Sequence, residues 1–307
     1  MRLVFAGTPA VAAATLAYLL DHSGHEVIAV VTRPDAPRGR SRRPVPSPVA
    51  QAALERDLEV LRPTTPSEPA FGDRLRALAP DCCPVVAYGA LVPAPVLVIP
   101  RLGWLNVHYS LLPRWRGAAP VQRAILAGDQ VTGVSVFGLV AALDAGPVFA
   151  AEPYQIGAEQ TAGEVLAALE PLGAQLLCRV LDDLESGRAA ATGQPIEGVT
   201  LAPKLAVAEA RIDWGRSSTT VAALVRACNP APMAWTLLGG ERFRVNRARS
   251  APSHGLSPGE VAVTRAAVLV GTGDGDLELI EVQPQGRRAM PAADWGRGLR
   301  RDAHFDT

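Results

Sequence analysis

The chain has 307 residues, 48% of them hydrophobic and 20% charged, with thirty basic residues against thirty acidic ones. That length suits about two domains, and the ordinary apolar fraction excludes a disordered or fibrous chain. The zero net charge neither requires nor rules out a polyanionic partner, and no apolar run approaches the ~18–20 residues of a membrane-spanning helix.

Lys204 is the only lysine, so an arginine by itself is not read here as evidence of a bidentate phosphate site. The four cysteines (Cys82, Cys83, Cys178, Cys228) lack metal-ligand spacing, and adjacent Cys82-Cys83 in an apolar run reads as buried strand filler. No signal-type apolar segment opens the chain, which leads to the expectation of a reduced, cytoplasmic protein.

In chain order, Arg2–Ala6 is an apolar strand that ends in Gly7-Thr8-Pro9 and leads into an Ala/Leu-rich helix reaching about Leu20. Pro9 suits a first helical turn. The spaced glycines of a dinucleotide site are missing, which argues against a nicotinamide dehydrogenase. The turn is therefore either a plain strand-to-helix junction or part of a cleft lining. His25–Thr32 is a second strand. Arg33–Arg43, with five arginines and one aspartate, is either a solvated loop or an arm that follows a phosphate backbone. Pro48–Asp57 reads as helix and Pro84–Ala87 as a central strand. This alternation predicts an α/β domain with a doubly wound, mostly parallel sheet of Rossmann-like type. Ligands bind outside the carboxyl ends of such strands, where Gly7–Pro9, Tyr88-Gly89 and Asn106–Pro113 should meet.

Asn106-Val107-His108 places two polar side chains on one face of an extended segment. A helix near Ala119–Ala127 and a strand over Gly133–Val140 return the chain to Asp144, thirty-six residues after His108. A neutral donor, a titratable ring and a carboxylate suit acyl transfer through a tetrahedral intermediate. No nucleophilic side chain is needed if the substrate supplies an amine. Farther on, Thr161-Ala162-Gly163-Glu164 is a capping box for a helix carrying Leu166, Leu169, Leu172, Leu176, Val180 and Leu184, ending near Gly187. Residues 188–207 lack periodicity and read as a linker. Beyond it, short runs at Arg242–Val245, Val261–Val263, Ala267–Val270 and Leu277–Val282, with a hairpin at Thr272–Asp276, predict a small OB-like β-barrel. Arg242, Arg244, Arg247 and Arg249 would give that barrel a basic face suited to a nucleic-acid backbone. The expected division is 1–187, 188–207 and 208–307.

These motifs resemble the methionyl-tRNA formyltransferases nearly end to end. The resemblance rests on Phe5–Pro9, the basic loop leading into Pro46-Ser47-Pro48-Val49, Val86–Gly89, Asn106–Pro120, Ala210–Trp214 and Asn229–Trp235. The central block is common to folate-dependent formyltransferases, including those acting on sugar amines, whereas the loop and the carboxyl-terminal motifs point to the tRNA branch. The resemblance implies 10-formyltetrahydrofolate as donor and initiator methionyl-tRNA as acceptor, with a monomeric enzyme and no metal. It implies Asn106, His108 and Asp144 as the catalytic trio. Tyr88, Gly89, Ser110, Leu111, Leu112 and Pro113 would line the folate site, and Arg38, Arg40, Arg42, Arg43 and Lys204 would contact tRNA. Asn106 and a protonated His108 are expected to stabilise the oxyanion, with Asp144 raising the His108 pKa. Three departures stand out: Tyr109 replaces a small residue, which is expected to narrow the pocket mouth; Ala145 replaces a threonine beside Asp144; and Ala141-Ala142 replaces more polar residues. A different class, an RNA-binding protein on an inactive scaffold, would bind tRNA without transferring a formyl group.

Overall fold

The computed structural model describes residues 1–37, 43–265, 267–299 and 303–306. They gather into two compact units, the first of Met1–Gly117, Thr132–Tyr154 and Ala167–Leu201, the second of Ala118–Val131, Gln155–Leu166 and Ala202–Thr307.

The first unit is built on strands β1 (Arg2–Gly7), β2 (Glu26–Val31), β3 (Ala36–Pro37), β4 (Pro44–Val45), β5 (Glu59–Leu61), β6 (Cys83–Val86), β7 (Trp104–His108), β8 (Val131–Gly138) and β9 (Val148–Gln155). Seven of these form one sheet in the order β5-β2-β1-β6-β7-β8-β9. Its pairs from β5 to β7 are parallel, and β8 runs antiparallel to β7. The expected mostly parallel α/β sheet is borne out. Leu3, Val4, Phe5 and Ala6 of β1 are fully buried, as a strand covered by helices on both faces requires. The helices are α1 (Ala10–His22), α2 (Pro48–Leu54), α3 (Pro69–Leu78), α4 (Ala94–Leu97), α5 (Pro120–Leu126) and α6 (Ala162–Glu185). Of these, α5 and the first turn of α6 fall within the second unit.

Local chemistry explains most element ends. Ser47 caps α2, its hydroxyl accepting from the Ala50 N–H at 3.0 Å. The capping box at α6 forms as read: the Glu164 N–H donates to Thr161 Oγ1, and the Thr161 N–H donates to Glu164 Oε2. Half of the predicted stripe of α6 is buried, at Leu169, Leu176 and Val180; Leu166, Leu172 and Leu184 are half-exposed, and Val165, Leu177 and Leu181 point inward beside the buried three. Strands β5 and β9 and helix α3 were not foreseen. β5 is three residues long, and β9 is interrupted by Pro153, so neither carries a period-two pattern long enough to register.

The second unit adds α7 (Ser218–Cys228), β10 (Ala234–Leu238), β11 (Glu241–Ala251), β12 (Glu260–Val263), β13 (Val268–Gly271), β14 (Asp276–Pro284), β15 (Met290–Pro291), α8 (Ala292–Arg297) and β16 (Ala303–His304). Its antiparallel sheet runs β10-β11-β14-β13-β12-β16, with β15 beside β14. The sheet curls so far that Leu238 of β10 bridges Phe305, just past β16. The hairpin at Thr272–Asp276 is present, with the Thr272 N–H donating to the Gly275 carbonyl at 2.8 Å. Trp214, Phe243 and Phe305 fill the interior, the Phe305 ring lying 5.3 Å from that of Trp214 and 5.0 Å from that of Phe243. Among the described residues no helix is long and apolar enough to cross a membrane. Cys82 and Cys83 are buried in the first sheet, as expected, and burial pushes the Cys82 thiol up to about 12.

Candidate active site

Parallel register aligns the carboxyl ends of three central strands: Gly7 lies opposite Val86, and Val85 opposite Asn106. The turn after β1 is fixed to the turn after β6 by Thr8, whose hydroxyl donates to the Tyr88 carbonyl at 2.8 Å. Gly7 is required by packing, since a Cβ there would meet Ala12 Cβ at 2.6 Å and the Val86 carbonyl at 2.9 Å. The root of the basic loop joins the same edge. The Thr32 and Ser47 hydroxyls meet at 2.6 Å, and β3 pairs with β4 across the loop's base. Arg43 is exposed there, whereas Arg38, Arg40 and Arg42 lie outside the described residues. Lys204 is exposed and belongs to the second unit.

Asn106 and His108 share one face of β7, two residues apart. His108 is 6% exposed, and its ring meets Phe137 edge-on at 6.2 Å. Its Nε2 lies 2.8 Å from the Trp115 carbonyl. A carbonyl only accepts, so Nε2 carries a proton and the neutral ring presents an open lone pair at Nδ1. Asp144 Oδ2 stands 3.8 Å from Nδ1 and accepts from the Gly117 N–H at 2.8 Å. Burial drives the His108 pKa down, and the Asp144 carboxylate and the Trp115 carbonyl oppose it; the net direction is downward. The expectation of a resting imidazolium is thus corrected. Asp144 does raise the pKa, but less than desolvation lowers it. The Asn106 amide is half-exposed, and none of the described residues takes a hydrogen bond from it.

The loop after β7 forms the opposite wall. Ser110 is buried, its hydroxyl donating to the Arg114 carbonyl at 2.6 Å, so it holds the loop and is not open to a ligand. The Ser135 hydroxyl donates to the Ser110 carbonyl at 2.7 Å and accepts from the Leu112 N–H at 3.2 Å. Leu111 packs on Gly133, where a Cβ would stand 2.5 Å from Leu111 Cδ2. Leu112 and Pro113 are half-buried. Tyr88 is 2% exposed, with its side chain in an apolar cluster containing Phe71, Val96 and Trp104, so only its backbone reaches the sheet edge beside exposed Gly89. Burial holds its phenol up at about 12.

Tyr109 does not narrow the site. As strand alternation requires, its ring turns to the face opposite His108 and packs against α6. There Gly173 leaves room for it: a Cβ would be 3.4 Å from the ring and 2.9 Å from Val107. Burial, and then Glu170, raise its phenol pKa. The Asp144 turn depends on Gly146, where a Cβ would fall 1.7 Å from the Gly138 carbonyl oxygen. Gly146→Ala is expected to displace the turn, destabilise the unit by about 1–3 kcal/mol and reduce turnover at least tenfold; a thermal melt and a rate assay check both.

Sequence reasoning missed the segment after α6. Between residues 190 and 201 only Gln194 and Thr200 are half-buried. Thr200 Oγ1 accepts from the Trp115 N–H at 2.8 Å, and Gln194 bonds to the Asp144 turn and to Arg116. No local pattern signals such contacts, which reach back 50 and more residues. The arginines of the expected basic face of the second unit all have neighbours within that unit. Arg242 stacks on Trp235 at 4.2 Å, Arg244 donates to Gln283, and Arg249 pairs with Glu278 at 2.8 Å. Arg247 pairs with Glu164. Arg247 and Arg249 are thus ion-paired, whereas Arg242 and Arg244 have neutral partners and keep their charge. Among the described residues no group of three His, Cys, Asp or Glu gathers into a candidate metal site.

The model of the formyl transferase family matches residues 1–181, and that of the formyl transferase carboxyl-terminal domain matches 204–300. The methionyl-tRNA formyltransferase of Salinispora arenicola is 54% identical over 301 residues, 98% of this chain and 97% of that protein. That of Streptomyces coelicolor is 52% identical over the same spans. Among solved structures, the sugar 3N-formyl transferase WlaRD superposes with a TM-score of 0.70 at 13% identity, over 94% of this chain and 99% of that one. HypX from Aquifex aeolicus gives 0.64 at 21% identity over 98% of this chain, which spans about half of HypX (49%). These two likenesses concern the fold alone.

Proposed function

The chain belongs to the formyl transferase family, and from that premise we propose that it moves the formyl group of 10-formyltetrahydrofolate onto the α-amino group of methionyl initiator tRNA. The observation that carries this reading is the match along both domains to methionyl-tRNA formyltransferases at 50–54% identity. The enzyme serves translation initiation. It acts as a cytoplasmic monomer, with its formyl-transfer domain over 1–187, a connecting segment over 188–207 and a tRNA-contacting domain over 208–307.

The chemistry follows from the site. An unperturbed α-amine titrates near about 7.7–8.0, and the neighbouring ester lowers that, so a neutral amine is available to attack the formyl carbon without a nucleophilic side chain. A C–N bond forms and the formyl oxygen gains negative charge. The unengaged Asn106 amide supplies an N–H to that oxygen. The attacking nitrogen becomes an ammonium and passes its proton to His108 Nδ1. The resulting imidazolium is held between the Trp115 carbonyl and the Asp144 carboxylate. Collapse of the intermediate breaks the bond to N10 of the folate, which takes up the proton. Gly89, Leu111, Leu112 and Pro113 and the Tyr88 backbone line the donor's place. Ser110 acts there only by holding the loop.

The arginine loop distinguishes this acceptor from a sugar amine, the nearest alternative in the family. Replacing Arg38, Arg40, Arg42 and Arg43 together by glutamine is expected to raise KM for tRNA at least tenfold. It should also flatten the salt dependence, reducing the log–log slope by about 1 for each phosphate that is no longer neutralised. KM for the folate donor should stay within twofold. A sugar-amine enzyme would keep full activity in that variant, and this result would overturn the tRNA assignment.

A further inference from the structure

We infer that Gln194 is a positioning residue that sets the spacing between Asp144 and His108. This inference rests on the catalytic roles proposed above. The Gln194 carboxamide is fully used: Nε2 donates to the Asp144 carbonyl at 2.8 Å and to the Gly146 carbonyl at 2.7 Å. Its Oε1 accepts from Arg116 Nε at 3.0 Å and Nη2 at 2.7 Å.

The two elements joined by this one side chain are the two that grip His108. The Asp144 turn carries the carboxylate facing Nδ1, and the 115–117 loop carries the carbonyl that accepts from Nε2 and the Gly117 N–H that holds Asp144 Oδ2. Neither element is regular. Asp144, Trp115 and Gly117 all have positive φ (46°, 62° and 125°), so helix or strand bonding does not fix their separation. Ala145 has no side-chain hydroxyl with which to brace the turn. Gln194 braces it instead, through the backbone on both sides of Ala145. The segment is anchored beside this contact by two hydrogen bonds between Thr192 and Val148, at 2.8 and 2.9 Å. It is anchored farther along by Thr200, whose carbonyl accepts from the Arg116 N–H at 2.9 Å. A stretch without helix or strand thus acts as a strap across the back of the site.

Gln194 touches no reacting atom in this arrangement, so its removal should lower kcat and leave KM for either substrate within threefold. A displacement of about 1 Å at a reacting group costs up to ~10²-fold, and Gln194→Ala is expected to reduce kcat by about 10- to 100-fold on that ground. Gln194→Glu separates the two halves of the side chain. A carboxylate keeps, and strengthens, the contact with Arg116, but has no hydrogen to give to the Asp144 and Gly146 carbonyls. It should therefore be as slow as the alanine variant. If Gln194 merely tied down the strap through Arg116, the glutamate variant would match the parent.

The second readout needs no substrate. The His108 ring is followed by NMR from pH 5 to 8 in the parent and in Gln194→Ala. As the carboxylate drifts from Nδ1, the ring should titrate at lower pH in the variant. A His108 titration that does not move, a kcat within threefold of the parent, or a loss confined to KM would each overturn the assignment. Because the titration reads the Gln194–His108 link without acceptor or donor, it fails or succeeds independently of the acceptor's identity.

Discussion

Replacing Asn106 by alanine is expected to lower kcat for formyl transfer by about 10²- to 10³-fold, the usual consequence of removing one oxyanion donor. The protein should remain folded, because none of the described residues takes a hydrogen bond from the Asn106 side chain and its loss leaves no orphaned partner. That separation of activity from stability gives the test its force. An amide held in reserve on a central strand contributes nothing to the resting fold, and its donor is engaged only as charge builds on the formyl oxygen. Asn106→Asp is the stricter variant. It keeps the shape and places a negative charge where one is forming, so it should be slower than alanine. Single-turnover rates with circular dichroism on the same samples check both, and a loss below tenfold in Asn106→Ala would remove the oxyanion role.

His108→Gln is expected to cost about 10²- to 10⁴-fold, the range for a lost general base. Its pH profile should change as well as its height. Burial outweighs the Asp144 carboxylate and holds the His108 pKa below its ordinary value. The ring is therefore neutral, and able to accept a proton, above that pKa. Activity should rise with pH through two ionisations, those of His108 and the substrate amine, giving an acid limb steeper than one proton. In His108→Gln only the amine remains, and the limb should flatten to a single proton. A rate that falls as pH rises from 5 to 7 would mean that the enzyme needs the imidazolium, contrary to the lowered pKa that burial gives the ring.

The central block was legible because Asn106, His108 and the loop to Pro120 are contiguous, and strand alternation alone puts the first two on one face. The α6 capping box was equally local, four residues whose mutual bonds need no tertiary context. Legibility failed where partners lie across the fold. Arg249 and Glu278 are direct register partners on β11 and β14, as are Arg244 and Gln283. A run of arginines that looks basic along the chain is thus neutralised or engaged across the sheet. Tyr109 looked like an obstruction because its neighbour faces the site. The alternation that aims His108 inward aims Tyr109 away, into space left by Gly173. The protonation state of His108 required knowing its burial, which the presence of Asp144 in the sequence does not supply. Gln194 and Thr200 were beyond reach, since they meet the site across 50 and 85 residues from a stretch with no periodicity.

The most direct test is formyl transfer from 10-formyltetrahydrofolate to charged initiator methionyl-tRNA, with elongator methionyl-tRNA as the control. Rapid formylation of the initiator with little of the elongator is the predicted result, strongly reduced in both His108→Gln and Asn106→Ala. Folded protein that formylates neither tRNA, or both alike, would contradict the assignment of acceptor and of the arginine loop.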